Sequence, residues 1–475
     1  MKSSSDQFIC GVVEGFYGRP WNVRQRHQLF GWMRQWGLNT YLYAPKDDLK
    51  HRVRWRDLYA ETEAAELAAL IRDCQRHGLS FIYALAPGLD LRSSAAVDTA
   101  VLQDKIRQLL SLGCQHFALL FDDIPAPGPE EGTQPARLFA QAQCALANGL
   151  FSFIHAQTSP ARFLFCPTVY CGRMAAPTVK ESVYLQTIGA ELNPAIAVLW
   201  TGPEIISESI SIASISELQS LIRRRPLLWD NLHANDYDLR RLYLGPYAGR
   251  PLELRGEISG VLTNPNCQFE ANFIPIRTLG LYAKEQGRWE PRRAYLESLQ
   301  AWLPAFASDS ARGAQVSNLR GENQARTPAF GSDSAGPVEF DDLELLGDVF
   351  YLPYEFGARA EAFLEDVRSL LAEERGDATR ALARFDQTSR RLGLLFDKMI
   401  PIQNRELLHA LYRYLWEIKE EAALLRGYVH WLRSKPTLGE AFLSAEHRPK
   451  IYRGGFVAEL QRLLPMDEQG RFHHD

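Results

Sequence analysis

The chain has 475 residues and a formal net charge of −4, with 46% hydrophobic and 23% charged residues. This composition is ordinary for a globular protein, and the length predicts more than one domain. The negative charge argues against a nucleic-acid partner, because phosphate binding needs a basic surface.

The N-terminal stretch MKSSSDQFICGVVEG lacks an apolar core long enough for a signal peptide. No stretch approaches the ~18 uninterrupted apolar residues of a membrane span. The seven cysteines form no CxxC pair, which favours buried, reduced thiols over a disulfide framework or a zinc ribbon. A Cys166–Cys171 disulfide is the alternative. These features predict a cytoplasmic protein that does not associate with membranes.

Short apolar runs alternate with amphipathic stretches as far as Thr263. The runs predict eight strands: Phe8–Val13, Asn39–Ala44, Ser80–Ala86, Phe117–Phe121, Arg162–Pro167, Ala197–Trp200, Pro226–Trp229 and Gly260–Thr263. They are almost continuously apolar, as strands covered on both faces are. Gly37, Gly78 and Gly113 each precede a strand and are predicted to end helices. Eight strand–helix repeats predict an α/β fold, a (β/α)8 TIM-like barrel.

Polar and aromatic motifs follow the predicted strands. They are EGFYGRPW after the first strand, PKDD after the second, DDIP after the fourth, TVYCG after the fifth, TGPE after the sixth, DN…ND after the seventh and NPN after the eighth. Active sites of such barrels lie at the C-terminal ends of the strands. The distribution therefore predicts a pocket built from seven loops.

The composition changes after the predicted barrel, which covers residues 1–288. A first helix of the second domain is predicted over 289–306. Residues 307–337 are rich in Ser, Gly, Ala, Asn and Arg, which predicts a flexible insertion. Residues 338–475 carry long helical patterns and are predicted to form an α-helical bundle.

Asp122 and Asp123 end the apolar run FALLFDD. Adjacent carboxylates repel each other, so the pKa of at least one should rise. A protonated Asp beside an ionised one can serve as a general acid with an electrostatic partner. The pair alone leaves metal binding and helix capping open.

The residues around the pair favour a sugar. Amide, carboxylate and amino groups that can bind hydroxyls recur at strand ends, at Lys46, Asp47, Asn231, Asp236 and Asn264. Aromatic rings that could support the apolar face of a sugar accompany them, at Phe16, Tyr17, Trp21, Tyr170, Trp200, Trp229 and Tyr237. His51 and His233 do not make the spacing of a metal site, so no metal and no cofactor is predicted.

The strand-end motifs resemble those of the O-GlcNAcases of glycoside hydrolase family 84, and most closely the animal nucleocytoplasmic members. The motifs are EGFYGRPW, YLYAPKDD, FALLFDDI, FLFCPTVYCG, VLWTGP, WDNLHANDYD, LGPYAGR and VLTNPNCQFEAN. Beyond the insertion, FYLPYEFG and FVAELQRLLPMD resemble the helical stalk domain of the same family.

The resemblance implies a retaining, substrate-assisted mechanism, in which the acetamide oxygen of the substrate attacks the anomeric carbon and forms an oxazoline. Asp122 would orient the acetamide and Asp123 would act as acid and then base. Gly15, Lys46, Asn231, Asp236 and Asn264 would bind the sugar hydroxyls. Tyr170 would contact the acetamide and Trp229 would line the acetyl pocket. Met174, Ile205 and Tyr237 would line the peptide cleft, although animal members have an aromatic residue at the position of Met174.

The resemblance also implies O-GlcNAc-modified proteins or peptides as substrates and a homodimer formed through the stalk. Two other hypotheses remain open at this point: a broader β-N-acetylglucosaminidase acting on glycan or cell-wall fragments, and a non-catalytic glycopeptide-binding module. A metal-dependent hydrolase is a further alternative.

Overall fold

The computed structural model describes residues 8–91, 95–127, 133–158, 161–238, 240–308, 336–371 and 378–434. Contacts divide the chain into two compact units. The first contains residues 1–302 and 347–357, and the second contains residues 303–346 and 358–475. In the described parts of the chain no helix is both long and apolar enough to cross a membrane.

The first unit is a closed parallel barrel whose eight strands pair in sequence order, with β8 returning to β1. The strands are β1 Ile9–Glu14, β2 Thr40–Tyr43, β3 Ser80–Leu85, β4 His116–Leu120, β5 Phe163–Cys166, β6 Ala197–Trp200, β7 Leu227–Asp230 and β8 Gly260–Thr263. The predicted barrel and all eight strands are confirmed, and no strand end differs from its predicted position by more than one residue. The strands are buried almost throughout, which explains their continuously apolar sequences.

Helices connect and follow the strands. They are α1 Val23–Trp36, α2 Glu61–Arg76, α3 Ala95–Ser111, α4 Thr133–Gln157, α5 Val183–Glu191, α6 Ile212–Ile222, α7 Phe273–Lys284 and α8 Pro291–Trp302. Asn22 caps α1 by accepting a hydrogen bond from the backbone N–H of Gln25, and Gly37 ends the same helix with φ of 79°. Gly78 and Gly113 also have positive φ, as predicted.

The second unit is helical where it is described. Helix α9 covers Phe340–Val349 and crosses from this unit into the first, followed by α10 Ala358–Leu371, α11 Ala378–Met399 and α12 Arg405–Arg433. Helix α11 packs against α10 and α12. The buried carboxylate of Asp342 binds Arg391 at 2.7 Å and Lys398 at 2.6 Å, which fixes α9 to α11 within this unit.

The observed division differs from the predicted domain boundaries. Helix α8, expected to begin the stalk, groups with the barrel, where it packs against α7. Residues 347–357 also group with the barrel, although they lie beyond the insertion in sequence. The predicted boundaries at 288 and 338 stay predictions. Most of the insertion and the FVAELQRLLPMD run lie outside the described residues.

Candidate active site

A cavity of about 310 Å³ opens at the C-terminal ends of the strands. Its volume is at the small end of the range for ligand pockets. It brings together nine of the predicted site residues and two of the three predicted cleft residues. The cavity is lined by Gly15, Tyr17, Lys46, Asp122, Asp123, Cys166, Tyr170, Leu199, Trp200, Thr201, Ile205, Ile206, Trp229, Asn231, Ala234, Asp236, Tyr237 and Asn264.

Asp122 lies just beyond β4 and is nearly buried, with 9% of its surface exposed. Its Oδ2 accepts a hydrogen bond from Lys46 Nζ at 2.6 Å. Both of its carboxylate oxygens lie 3.4 Å from Arg52 Nη1, and Arg52 Nη2 donates to its backbone carbonyl at 3.0 Å. Burial alone would raise the pKa of Asp122, but the two cations outweigh it and lower the pKa to about 2. Asp122 is therefore a carboxylate at neutral pH. The rise in pKa that the sequence predicts for at least one of the two aspartates is not found at Asp122.

Asp123, the next residue, has a different environment. It is exposed, and its φ of 54° lies in the left-handed region, which is strained for a residue other than glycine. Tyr170 Oη donates to its Oδ1 at 2.8 Å and Tyr17 Oη donates to its Oδ2 at 3.1 Å. Burial and the charge of Asp123 raise the pKa of Tyr170, and they raise that of Tyr17 to about 12. Both phenols therefore remain protonated and can hold the carboxylate.

An amide network forms the wall opposite the carboxylates. Asn231 Oδ1 accepts hydrogen bonds from Trp229 Nε1 at 3.1 Å and from Asn264 Nδ2 at 3.0 Å. Asn231 Nδ2 donates to the backbone carbonyl of Ile205 at 2.8 Å. The buried Oδ1 of Asn264 has no hydrogen-bond partner among the described residues. A buried acceptor without a partner is costly, so it favours a ligand that can donate.

Gly15 allows the indole of Trp229 to close against β1. A Cβ atom at position 15 would lie 2.4 Å from Trp229 Cζ2, closer than real atoms approach. Lys46 Nζ lies 5.9 Å from the Trp229 ring and 5.6 Å from the Tyr17 ring. The absence of a side chain at Gly15 therefore sets the width of the cavity beside the predicted sugar-binding lysine.

The loop from Tyr17 is tied to the seventh strand end. The carboxylate of Asp236 accepts a hydrogen bond from the backbone N–H of Tyr17 at 2.8 Å. Asp236, predicted to bind sugar hydroxyls, thus also anchors the residue whose hydroxyl holds Asp123. These contacts join the ends of β1, β4 and β7 around one space.

The three predicted peptide-cleft residues lie in different places. Ile205 and Tyr237 line the cavity. Met174 does not line it, and packs against the apolar cluster inside the barrel. Its side chain is partly buried. Contact of Met174 with a peptide stays a prediction.

Several residues in or beside the cavity have contacts that the sequence does not predict. Arg52 comes from the loop after β2 and reaches Asp122 only because that loop folds back over the strand ends. Tyr17 was expected as a flat platform, yet its hydroxyl binds Asp123. Trp200, predicted as an aromatic platform, lines the cavity, and the lining residues without a predicted role are Cys166, Leu199, Thr201, Ile206 and Ala234.

The two histidines considered as metal ligands and most of the cysteines are buried in the fold. His51 and His233 are buried, each bonds a backbone carbonyl, and burial lowers the pKa of each to about 4. All seven cysteines are free thiols, and six are buried. Within the described residues, the one group of possible metal ligands is His27, Asp73 and His77, which lies on α1 and at the end of α2. None of the three lines the cavity.

Comparison with known proteins identifies relatives whose alignments cover most of the chain. A family model described as beta-N-acetylglucosaminidase (NAGidase) matches residues 10–313. Protein O-GlcNAcase of Rattus norvegicus is 30% identical, and that of Mus musculus is 31% identical. Each alignment covers 97% of this chain and 70% of the relative.

Two solved structures have the same fold. A mutant of the O-GlcNAc hydrolase from Thermobaculum terrenum superposes with a TM-score of 0.70 at 24% identity, covering 88% of this chain and 83% of that one. The protein CpGH84B superposes with a TM-score of 0.74 at 21% identity, covering 91% of this chain and 70% of that one. The family match over most of the barrel and the identity across nearly the whole chain lead to one conclusion: the chain belongs to the beta-N-acetylglucosaminidase family of glycoside hydrolases, the O-GlcNAcase family that its strand-end motifs resemble.

Proposed function

We propose that this protein is a retaining, substrate-assisted exo-β-N-acetylglucosaminidase that removes O-linked GlcNAc from Ser and Thr of proteins. One observation carries the proposal: two adjacent carboxylates at the cavity have opposite environments. Asp122 is buried against two cations, whereas Asp123 is exposed and held by two phenols. Neighbouring carboxylates in unlike environments can take different roles in one reaction.

In the first step, the acetamide oxygen of the substrate forms a bond to the anomeric carbon while the bond to the leaving oxygen breaks. The Asp122 carboxylate accepts a hydrogen bond from the acetamide N–H and stabilises the positive charge that develops on the oxazoline ring. Asp123 donates a proton to the leaving serine or threonine oxygen. Because the nucleophile belongs to the substrate, its effective concentration is high.

In the second step, Asp123 accepts a proton from water as that water attacks the anomeric carbon. The carbon–oxygen bond of the oxazoline breaks and the acetamide is restored. Two displacements on opposite faces return the original anomeric configuration. Tyr170 and Tyr17 keep Asp123 in position while it changes from acid to base.

Sugar recognition would use the remaining predicted residues. The unpartnered carbonyl of Asn264 is a suitable acceptor for a hydroxyl group. Lys46, Asn231 and Asp236 supply further donors and acceptors, and Trp229 supplies an apolar wall for the acetyl group. The backbone at Gly15 completes the set.

The names of the relatives support a protein substrate, because two of them are called Protein O-GlcNAcase. A broader β-N-acetylglucosaminidase acting on glycan fragments would use the same cavity. Homodimerisation through the helical unit and a cytoplasmic location stay predictions.

Turnover of a defined O-GlcNAc peptide by wild type and by Asp122→Asn tests the proposal. We expect wild type to release GlcNAc and the variant to lose at least about 100-fold in kcat, the scale of removing one preorganised electrostatic group. Faster turnover of chitobiose than of the peptide would favour the broader activity. Wild-type activity in Asp122→Asn would contradict the mechanism.

A further inference from the structure

The segment 347–357 follows the insertion in sequence but belongs to the barrel unit. The backbone N–H groups of Leu244 and Gly245 donate to the carbonyls of Phe350 and Tyr351 at 2.6 and 2.7 Å. Arg241 Nη2 donates to the carbonyl of Pro353 at 2.6 Å. These bonds attach the segment to the loop that follows β7, whose start lines the cavity.

The segment places Tyr354 at the cavity rim. Tyr354 Oη donates to the backbone carbonyl of Ile206, a residue that lines the cavity. Burial raises the pKa of Tyr354, and its neighbours Tyr237 and Glu204 raise it further. Tyr354 and Tyr237 are each 49% exposed, so part of each ring is open to solvent.

A tethered, exposed tyrosine is suited to binding a polypeptide. Its hydroxyl is occupied by Ile206, so the ring offers apolar contact rather than a free donor. The tether also reduces the side-chain entropy that would be lost when a partner binds. In the proposed reaction the sugar fills the cavity, and the protein that carries it must leave through the rim.

The acidic residues near Tyr354 indicate which kind of polypeptide would bind at the rim. Glu204 is paired with Arg173 at 3.1 Å. Glu208 and Glu355 are exposed, and among the described residues no basic side chain lies within ion-pair distance of either. Partial burial and the charge of Glu208 raise the pKa of Glu355. A lysine or arginine of the substrate would relieve this repulsion and could also lie over an aromatic ring.

We propose that Tyr354 is a specificity-determining residue whose ring, with Tyr237 and Ile206, supports the polypeptide that carries the sugar, and that Glu208 and Glu355 favour a basic residue near the modified Ser or Thr. This inference rests on the proposed function and deepens it. It assigns to the cavity rim the binding of a polypeptide that carries a positive charge near the modified residue.

The test uses the full chain and three substrates: an aryl GlcNAc, an O-GlcNAc peptide with flanking lysines, and the same peptide with flanking glutamates. We expect Tyr354→Ala to lower kcat/KM about tenfold on the lysine peptide and to leave the aryl substrate unchanged. Tyr354→Phe, which keeps the ring, should retain most peptide activity.

The charge assignment is tested with the double variant Glu208→Gln and Glu355→Gln. Wild type should prefer the lysine peptide by roughly tenfold, and the double variant should lose most of that preference. Glu253→Gln is the matched control, because Glu253 is an exposed carboxylate in the 3-10 turn Leu252–Gly256 before β8, away from the cavity. It should keep the wild-type preference.

Three outcomes would overturn the inference. They are an unchanged peptide rate in Tyr354→Ala, an equal loss on peptide and aryl substrates, and an unchanged peptide preference in the double variant. Thermal unfolding of each variant identifies a loss caused by misfolding, in which case Tyr354→Phe decides whether the ring or the tether matters. Wild type that cleaves the aryl substrate but neither peptide would overturn the proposed function, and this inference with it.

Discussion

The ends of β4 and β7 each carry a buried aspartate paired with a cation, yet the two sites differ in how completely the carboxylate is satisfied. At β7, Asp230 accepts from Arg250 Nε at 2.8 Å, Arg250 Nη2 at 2.7 Å and Tyr247 Oη at 2.9 Å. The side chains of Asp230 and Arg250 are fully buried. At β4, Asp122 has one short bond to Lys46 and only distant contacts with Arg52.

The difference separates an ion pair that is satisfied within the protein from one that borders the cavity. Arg250 also donates to the backbone carbonyls of Ser207, Glu208 and Ala248, so it fixes the loop after β6 that carries Ile205. Every bond of this pair ends within the protein. Asp122 lines the cavity and keeps the capacity to accept a bond from a ligand.

The largest effect on stability is expected at β7. Asp230→Asn should lower the free energy of unfolding of the barrel unit by about 3–5 kcal/mol, because it leaves Arg250 buried without its counter-ion. Asp122→Asn should cost less, since Asp122 and Lys46 border an open cavity. Urea unfolding followed by tryptophan fluorescence compares the two variants. Equal losses would remove the distinction between the pairs.

Asp123→Asn should affect activity, and by an amount that depends on the leaving group. We expect kcat to fall about 100-fold or more on a substrate with a poor leaving group, where a proton must be supplied. The loss should be much smaller on an aryl GlcNAc whose phenol leaves readily. Rates across a series of aryl leaving groups measure this dependence. A uniform loss across the series would exclude Asp123 as the acid.

The smallest effect is expected from Arg52→Met. Removing this cation should raise the pKa of Asp122 from about 2, because one of the two charges that outweigh burial is lost. Since the proposed mechanism needs the carboxylate, activity should be lost at a higher pH as the solution is acidified. The acid limb of the pH–rate profile should move upward by roughly one pH unit.

The control for Arg52 is Arg52→Lys, which keeps a charge and should move the limb less. Because the pKa of Asp122 in the folded protein lies below its ordinary value, its stabilising contribution is present above about pH 4 and is lost as pH falls towards 2. The Arg52→Met variant, in which the pKa of Asp122 is higher, should lose this stabilising contribution at a higher pH. A pH–rate profile identical to that of wild type would contradict an electrostatic role for Arg52.

Much of the architecture could be read from local pattern. A parallel strand covered on both faces is continuously apolar, so a run such as Pro226–Trp229, observed as the strand Leu227–Asp230, can be recognised without knowledge of its neighbours. The residues that line the cavity could be predicted because motifs such as DDIP follow those strands. Arg52 and Arg250 could not be found in this way, because their partners lie 70 and 20 residues away in sequence. Arginines on loops carry no periodic signal.

By itself, the sequence determined the barrel, the end of the barrel that holds the cavity, and the carboxylate pair. Strand periodicity and the direction of a parallel sheet fix these features locally. Only the tertiary structure decided that Asp122 is held ionised by Lys46 and Arg52, and that Asp123 is held by two phenols. It also decided that the segment bearing Tyr354 returns to the barrel rim after the insertion. Charge, burial and rim contacts depend on residues far apart in sequence, and only folding brings them together.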